Sequence, residues 1–188
     1  HYVAEGTVIV VAGSVTKTQV EKEVATYFSN IPHTKKAKKV KTKESQNAPH
    51  VLLKHKATDQ THFVLGFRTF DVLDKRNTTI SVLSAILGAG MSSRLFIKLR
   101  EEMGVAYYVR AFNEPSIGYG SFQISAGVNN ARTEEVLQEI LKECSRLKKE
   151  KISDAELKKV KSLILGNMKL SLELTDDIAT YYGSQELL

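Results

Sequence analysis

Residues 87–112 read LGAGMSSRLFIKLREEMGVAYYVRAF, and this stretch decides the fold. It predicts a glycine-rich turn, a short helix, a one-glycine stop and a strand. Gly88 and Gly90 flank Ala89, and glycines in such a pair allow the backbone to take a positive φ or to pass close to another element. The stretch therefore places a tight corner between two regular elements.

Residues 92–104 predict the short helix. Ser92 or Ser93 can accept a hydrogen bond from the first free N–H groups of a helix. Gly104 stands where a left-handed residue would end it, and the β-branched and aromatic residues of 105–112 then favour a strand. Four apolar side chains fall on one helical face: Leu95, Phe96, Leu99 and Met103.

Two polar side chains bracket this corner. Arg100 lies in the last helical turn and Tyr107 at the third position of the strand. By residue type alone, Arg100 could be an exposed cation favoured by the helix dipole, and Tyr107 one of several strand tyrosines. A pocket would be needed to distinguish a functional role from these two structural roles.

Length and composition predict a globular protein. The 188 residues, 42% of them apolar, could form one large domain or one domain with part of another. No apolar run is long enough to span a bilayer, and no signal peptide is visible. Because the chain begins with His1, we interpret it as part of a longer polypeptide whose targeting segment would lie upstream. We expect a soluble protein, cytoplasmic by default.

The net charge of +6 comes from one lysine-rich segment within residues 35–43. Without its six lysines, the chain has 21 basic and 21 acidic residues. The segment has no aromatic residue or arginine for base stacking or bidentate readout, so a solvated linker is favoured over a nucleic-acid site. The alternative, nucleic-acid binding, predicts affinity that falls steeply with salt. The six are Lys35, Lys36, Lys38, Lys39, Lys41 and Lys43.

The rest of the chain predicts an α+β fold. Strands are predicted at 7–12, 51–56, 61–70, 105–112 and 119–128. Thr16 with Gln19 and Ser153 with Glu156 have the form of capping boxes, and Thr133 also predicts a helix start. From residue 50 on, the order β-β-α-α-β-β-α-α indicates an antiparallel sheet with helices packed on one face.

The sequence gives little support for a metal site, a catalytic nucleophile or a phosphate-binding loop. His50, His55 and His62 are spaced five and seven apart, which puts neighbours on opposite faces of a strand, so no metal site is predicted. The single cysteine, Cys144, falls on an apolar helix face and is interpreted as a structural thiol. The serines of the turn lack a G-x-S-x-G elbow, and its glycines lack the G-K-[ST] of a phosphate-binding loop.

The motif G-x-G-M-S-S-R-L-F followed by R-E-E-x-G-V-A-Y resembles the second-domain motif of the insulinase-type zinc metallopeptidases, which include pitrilysin and the mitochondrial processing peptidase. The similarity runs from Glu5 to about Gly183. It implies an α+β fold of the processing-peptidase type. It also implies that residues 1–32 are the last strand and helix of a first domain, that 33–49 are a basic linker, and that 50–188 are a second peptidase domain lacking its C-terminal end.

The resemblance implies catalytic roles for Arg100 and Tyr107. In the family, residues at these positions hold the substrate backbone and support the oxyanion opposite a zinc site. Tyr108, Arg110 and Arg94 are neighbouring alternatives, but Tyr108 is predicted on the other strand face and Arg94 belongs to the helix-entry motif, so both rank lower. Substrate-binding or structural roles fall on six turn residues: Gly88, Gly90, Ser92, Ser93, Arg94 and Gly104.

The resemblance also implies a zinc metalloendopeptidase that cleaves unfolded peptides. Zinc would be held by an H-x-x-E-H pair and a glutamate in a first domain, so no cofactor is expected in this chain, which alone should be inactive. Expected partners are a peptide substrate and a second family half, in a homodimer or heterodimer, with no nucleic acid and no membrane. The alternative is a non-catalytic structural or partner-binding subunit, distinguished by the presence of H-x-x-E-H upstream.

Overall fold

The computed structural model describes residues 2–40, 42–55 and 57–188, in two units formed by residues 1–41 with 165–188 and by residues 42–164. Within these ranges, no helix is both long and apolar enough to cross a membrane. The helices are α1 (Lys17–Phe28), α2 (Asn77–Gly88), α3 (Arg94–Phe96), α4 (Thr133–Lys149), α5 (Asp154–Ser171) and α6 (Thr175–Glu186), and the strands are β1 (Gln60–Arg68), β2 (Ala106–Ser116) and β3 (Tyr119–Asn129).

The three strands form an antiparallel sheet in the order β1-β3-β2. A two-residue turn, Ile117–Gly118, joins β2 to β3, and Gly118 has a φ of +86° that favours glycine. The central strand β3 is the most buried of the three, with Ile124, Ala126 and Val128 fully covered. Among the described strands, β2 pairs only with β3 and therefore forms an edge of the sheet.

Helices α2, α3 and α4 pack on one face of this sheet. Leu87 and Leu95 from α2 and α3 and Ile140 from α4 are fully buried against the β3 side chains. Burying each such side chain contributes about 1.5–3 kcal/mol. The opposite face is open, and Val64 of β1 and Phe112 of β2 are exposed there. The predicted α+β class, with helices on one face of an antiparallel sheet, is confirmed.

Two predicted strands are absent from the described residues. Residues 7–12 form no strand, and neither 2–40 nor 165–188 contains a strand that could pair with them. Residues 51–55 are also unpaired, and Leu52 is 96% exposed; Lys56 lies outside the described residues. The apolar run Val51–Leu53 does not alternate, so a sheet with one covered face could bury only part of it.

The helix starts were predicted with mixed success. Thr16 and Gln19 form the predicted reciprocal capping box, and the Glu156 N–H donates to Ser153 Oγ at 3.2 Å. Thr133 is instead the first residue of α4, and its hydroxyl donates to the Asn130 carbonyl at 3.1 Å. The short 3-10 turn that precedes α4 supplies this carbonyl, so the predicted cap is wrong.

Candidate functional site

Glycine is required at the two positions of the corner for different structural reasons. Gly88 ends α2 against strand β2, where a Cβ atom would lie 2.2 Å from the Ala111 backbone nitrogen. Gly90 has a φ of +80°, a conformation that L side chains rarely adopt. The corner therefore depends on one close approach and one left-handed residue.

Ser93 closes the turn in a way that the sequence did not predict. Its hydroxyl is buried and donates to the Gly90 carbonyl at 2.7 Å, and it accepts no hydrogen bond from the described N–H groups of α3. The left-handed Gly90 directs its carbonyl back towards Ser93, whose own N–H also donates to it at 3.3 Å. Ser92 is exposed, and its carbonyl accepts from the Lys159 ammonium group at 3.0 Å.

The helix that carries Arg100 is irregular. One α-helical turn, α3, is followed by a π-helical segment at Ile97–Glu102. The Met103 N–H donates to the Lys98 carbonyl at 3.1 Å, and Gly104, with φ +61°, then reverses the chain. The predicted stop at Gly104 is confirmed, whereas the π segment was not predicted. Such segments are rare and occur often at functional sites.

Arg94 connects three helices, α3, α4 and α5, through its ion pairs. Its guanidinium donates to both Glu156 carboxylate oxygens of α5, at 2.7 and 2.6 Å, and to Glu143 of α4 at 2.7 Å. These hydrogen bonds raise the pKa of Arg94 and lower the pKa of Glu156. Because the Arg94 side chain is only 18% exposed and doubly paired, it stabilises the packing of α3 and is not available to a ligand.

We expect Glu156→Gln to destabilise the protein by about 1–3 kcal/mol at pH 7, since it weakens a charge-assisted bidentate pair. The pKa of Glu156 is lowered in the folded state from its ordinary 4.5. Its contribution is therefore present above that value and is lost as the pH falls through the folded-state pKa. Urea unfolding at pH 7, 5 and 3.5 should show the difference from wild type shrinking below about pH 4.5.

Glu150→Gln is the matched control for this prediction. Glu150 also pairs with an arginine, Arg146, at 2.9 Å, but both side chains are more than half exposed. Exposed pairs contribute about 0–1 kcal/mol, so this change should be nearly neutral. A loss of stability for Glu156→Gln that is the same at every pH would contradict the ionic role.

The structure brings Arg100 and Tyr107 together. A guanidinium N–H of Arg100 donates to the backbone carbonyl of Tyr107, and the guanidinium lies 5.5 Å from the ring centre of Phe96. The Tyr107 side chain is 53% exposed, and its hydroxyl has no hydrogen-bond partner among the described residues. The pair thus combines a positioned cation with a phenol that is free to donate.

Tyr107 is the additional residue of a β-bulge. Ala106 is paired with Val128 and Tyr108 with Gly127, so Tyr107 has no partner on β3. Two residues therefore stand where regular pairing has one, and the strict alternation of the two tyrosines fails. The predicted placement of Tyr108 on the opposite face from Tyr107 was based on that alternation and stays a prediction.

The Tyr108 ring lies on the open face of the sheet over Gly127. Its hydroxyl is 3.2 Å from His62 Nδ1, and the two rings stack with centres 5.8 Å apart. A Cβ atom on Gly127 would lie 2.5 Å from the Tyr108 ring, so only glycine leaves room for it. This contact between β1 and β2 was missed, although a glycine within a strand can indicate such a close approach.

No metal site is found among the described residues, which contain no group of three His, Cys, Asp or Glu side chains that could hold an ion. His50 and His55 are exposed, and His62 contacts Tyr108. Cys144 is half-buried on α4, where burial, and secondarily the Glu143 carboxylate, raises the pKa of its thiol. This favours the unreactive protonated form.

A groove of about 1000 Å³ runs between the glycine corner and strand β2. Residues 88–91 form one wall, residues 108–112 form the other, and Phe96, Arg100 and Ser125 complete the lining. The Tyr107 side chain is not part of the lining, although its carbonyl is bonded to Arg100, which is. The groove can hold an extended segment beside an edge strand.

Two solved structures share this fold. A protease from Helicobacter pylori matches with a TM-score of 0.77 and 21% identity, covering 94% of this chain and 44% of its own. The peptidase M16 inactive domain from Pseudomonas fluorescens also matches with a TM-score of 0.77 and 21% identity, covering 93% of this chain and 42% of its own. This fold is an α+β domain that is found in peptidases.

The family model of the peptidase M16 inactive domain matches residues 1–164. The chain therefore belongs to this family, and the predicted resemblance to the insulinase-type peptidases is confirmed. The uncharacterized zinc protease YmxG of Bacillus subtilis (strain 168) is 30% identical over 188 residues, covering 100% of this chain and 45% of the relative. An uncharacterized zinc protease of Rickettsia bellii is 29% identical over 174 residues, covering 92% and 41%. The chain thus spans less than half the length of these relatives.

Proposed function

We propose that this chain is the part of a zinc metalloendopeptidase that holds an unfolded peptide and stabilises the oxyanion formed during its hydrolysis. One observation carries the proposal. The Arg100 guanidinium donates a hydrogen bond to the backbone carbonyl of Tyr107 at a bulge in an edge strand, and the half-exposed Tyr107 keeps a hydroxyl that has no hydrogen-bond partner among the described residues. Relatives named as zinc proteases support the reaction class.

The residue types suit the charge that develops in the reaction. When water adds to a peptide carbonyl, the oxygen becomes negatively charged, and donors fixed in advance stabilise this state more than the substrate. The Tyr107 hydroxyl would donate a hydrogen bond to that oxygen. The guanidinium N–H groups of Arg100 that are not hydrogen-bonded to Tyr107 can hold the substrate backbone.

The position of β2 supports an extended peptide as the substrate. Strand β2 has β3 as its one partner within the described ranges, and the groove lies beside β2. An extended chain can add to such an edge through backbone hydrogen bonds, with little dependence on its sequence. A folded substrate could not present its backbone in this way, so unfolded peptides are the proposed class.

The zinc ion named for the relatives does not fit this chain, because the described residues provide no cluster of metal ligands. The ion would be held elsewhere in the full-length protein or by a second family half, in a homodimer or heterodimer. The residues described here would then act on the substrate and not on the metal. This division agrees with the description of the family as an inactive domain.

Arg100→Ala tests the proposal in the full-length protein with zinc bound. We expect kcat/KM for an unfolded peptide to fall by about 100-fold, because a charged donor to the substrate is lost. Arg132→Ala is the control, since the described partner of Arg132 is its neighbour Glu135 on an exposed helix start, and this change should alter the rate by less than about twofold. Circular dichroism would establish that both variants fold.

Two outcomes of this experiment would reject the proposal. An unchanged kcat/KM for Arg100→Ala would remove Arg100 from the mechanism. A wild-type protein that is folded and zinc-loaded but cleaves no unfolded peptide would instead support the non-catalytic alternative, a subunit that only binds a partner.

A further inference from the structure

The arginines of this chain divide into two groups by their partners. Of the seven arginines, five pair with a carboxylate, and the two that have no carboxylate partner among the described residues are Arg100 and Arg110. Both of these line the groove beside β2. The paired five are Arg68, Arg76, Arg94, Arg132 and Arg146.

Arg110 is the less constrained member of the groove pair. Arg100 is bonded to the Tyr107 carbonyl, whereas Arg110 is exposed and has no hydrogen bond or ion pair with any described residue. Arg110 lies on β2 and is paired in register with Ser125, which also lines the groove. Its whole guanidinium is therefore available to a ligand.

No acidic side chain balances this charge in the groove, because none of its described lining residues is Asp or Glu. Two cations in a concave site attract an anion more strongly than the same charges on a flat surface. A carboxylate can accept two parallel hydrogen bonds from a guanidinium. Met91, Phe96 and Phe112 give the same groove apolar surface for neighbouring side chains.

We propose that Arg110 is a specificity-determining residue, which makes the groove selective for extended peptide segments that carry an acidic side chain. A basic residue at the same place would be repelled by Arg100 and Arg110, so the groove also discriminates against basic peptides. The inference rests on the proposed function, because it takes the groove as the place where the peptide lies. To that function it adds a preference for peptides that carry a negative charge.

Peptide binding to the full-length protein, with zinc removed by a chelator so that nothing is cleaved, provides the test. The probes are fluorescein-labelled peptides of Gly, Ser and Leu that differ only in one central residue, Asp, Asn or Lys. By fluorescence anisotropy, we expect the Asp peptide to bind about tenfold more tightly than the Asn peptide, as for a charge-assisted pair. The Lys peptide should bind most weakly.

Variants of Arg110 should remove or reverse this preference. Arg110→Gln should bind the Asp and Asn peptides equally, and Arg110→Glu should prefer the Lys peptide. Arg68→Gln is the matched control, because Arg68 lies on β1, pairs with Glu44 at 3.2 Å and does not line the groove. It should keep the full preference for Asp.

Equal binding of the Asp and Asn peptides by the wild-type protein would overturn the inference, as would an unchanged preference in Arg110→Gln. These results are independent of catalysis. Loss of turnover in Arg100→Ala without any Asp preference would leave the proposed function standing and reject only the role of Arg110. An Asp preference that depends on Arg110, in a protein that cleaves no peptide, would support the role of Arg110 and reject the proposed function.

Discussion

Tyr107→Phe in the full-length protein with zinc bound is expected to lower kcat by about 100-fold, as for the loss of one oxyanion donor. The change removes a hydroxyl that has no partner among the described residues, so it should not disturb the fold. If this hydroxyl acts only in the transition state, KM should remain nearly constant. Steady-state hydrolysis of an unfolded peptide measures both quantities.

Two further tyrosines make this experiment specific. Tyr27→Phe, on an exposed site of α1, should leave kcat within about twofold. Tyr108→Phe removes a hydroxyl that is already engaged with His62 and should reduce kcat much less than Tyr107→Phe. If Tyr108→Phe lowers kcat more than Tyr107→Phe, the oxyanion donor has been assigned to the wrong tyrosine.

Gly88→Ala should destabilise the protein by about 3 kcal/mol or more, a large effect for one methyl group. The new Cβ would lie 2.2 Å from the Ala111 nitrogen and 2.8 Å from the Ala111 Cβ. Backbone cannot rotate away as a side chain can, so α2 and β2 would have to separate. Urea unfolding followed by far-ultraviolet circular dichroism measures the loss.

Gly166→Ala is the matched control, because Gly166 lies within α5 and a Cβ there would have no neighbour within 4 Å. Alanine is the better helix former, so this change should stabilise the protein by about 0.5–1 kcal/mol. If both substitutions had the same effect, helix propensity and not the approach of α2 to β2 would explain Gly88. In Gly88→Ala, faster amide exchange in α2 and β2 would localise the damage.

Local sequence features predicted the elements that depend on nearby residues. The stop at Gly104 and the capping box at Thr16 were both correct, because each depends on backbone geometry within a few residues. The motif of residues 87–112 also identified the family. It did so because the corner needs glycines at two particular places.

Features that depend on distant partners were missed. Residues 7–12 and 51–55 have the composition of strands, but composition does not provide a pairing strand. The bulge at Tyr107 is visible only once β2 is aligned with β3. The role of Arg94 was open in the sequence, because its two partners lie 49 and 62 residues away.

The sequence by itself determined the corner, the α+β class and the family, because these follow from glycine positions, residue periodicity and one dense motif. Only the tertiary structure decided which arginines are engaged. Arg94 is paired with two glutamates, Arg100 is hydrogen-bonded to the Tyr107 carbonyl, and Arg110 lines the groove without a polar partner in the described part of the chain. The physical reason is that an arginine has the same charge and reach everywhere, and its role is set by the groups that the fold brings within hydrogen-bond distance.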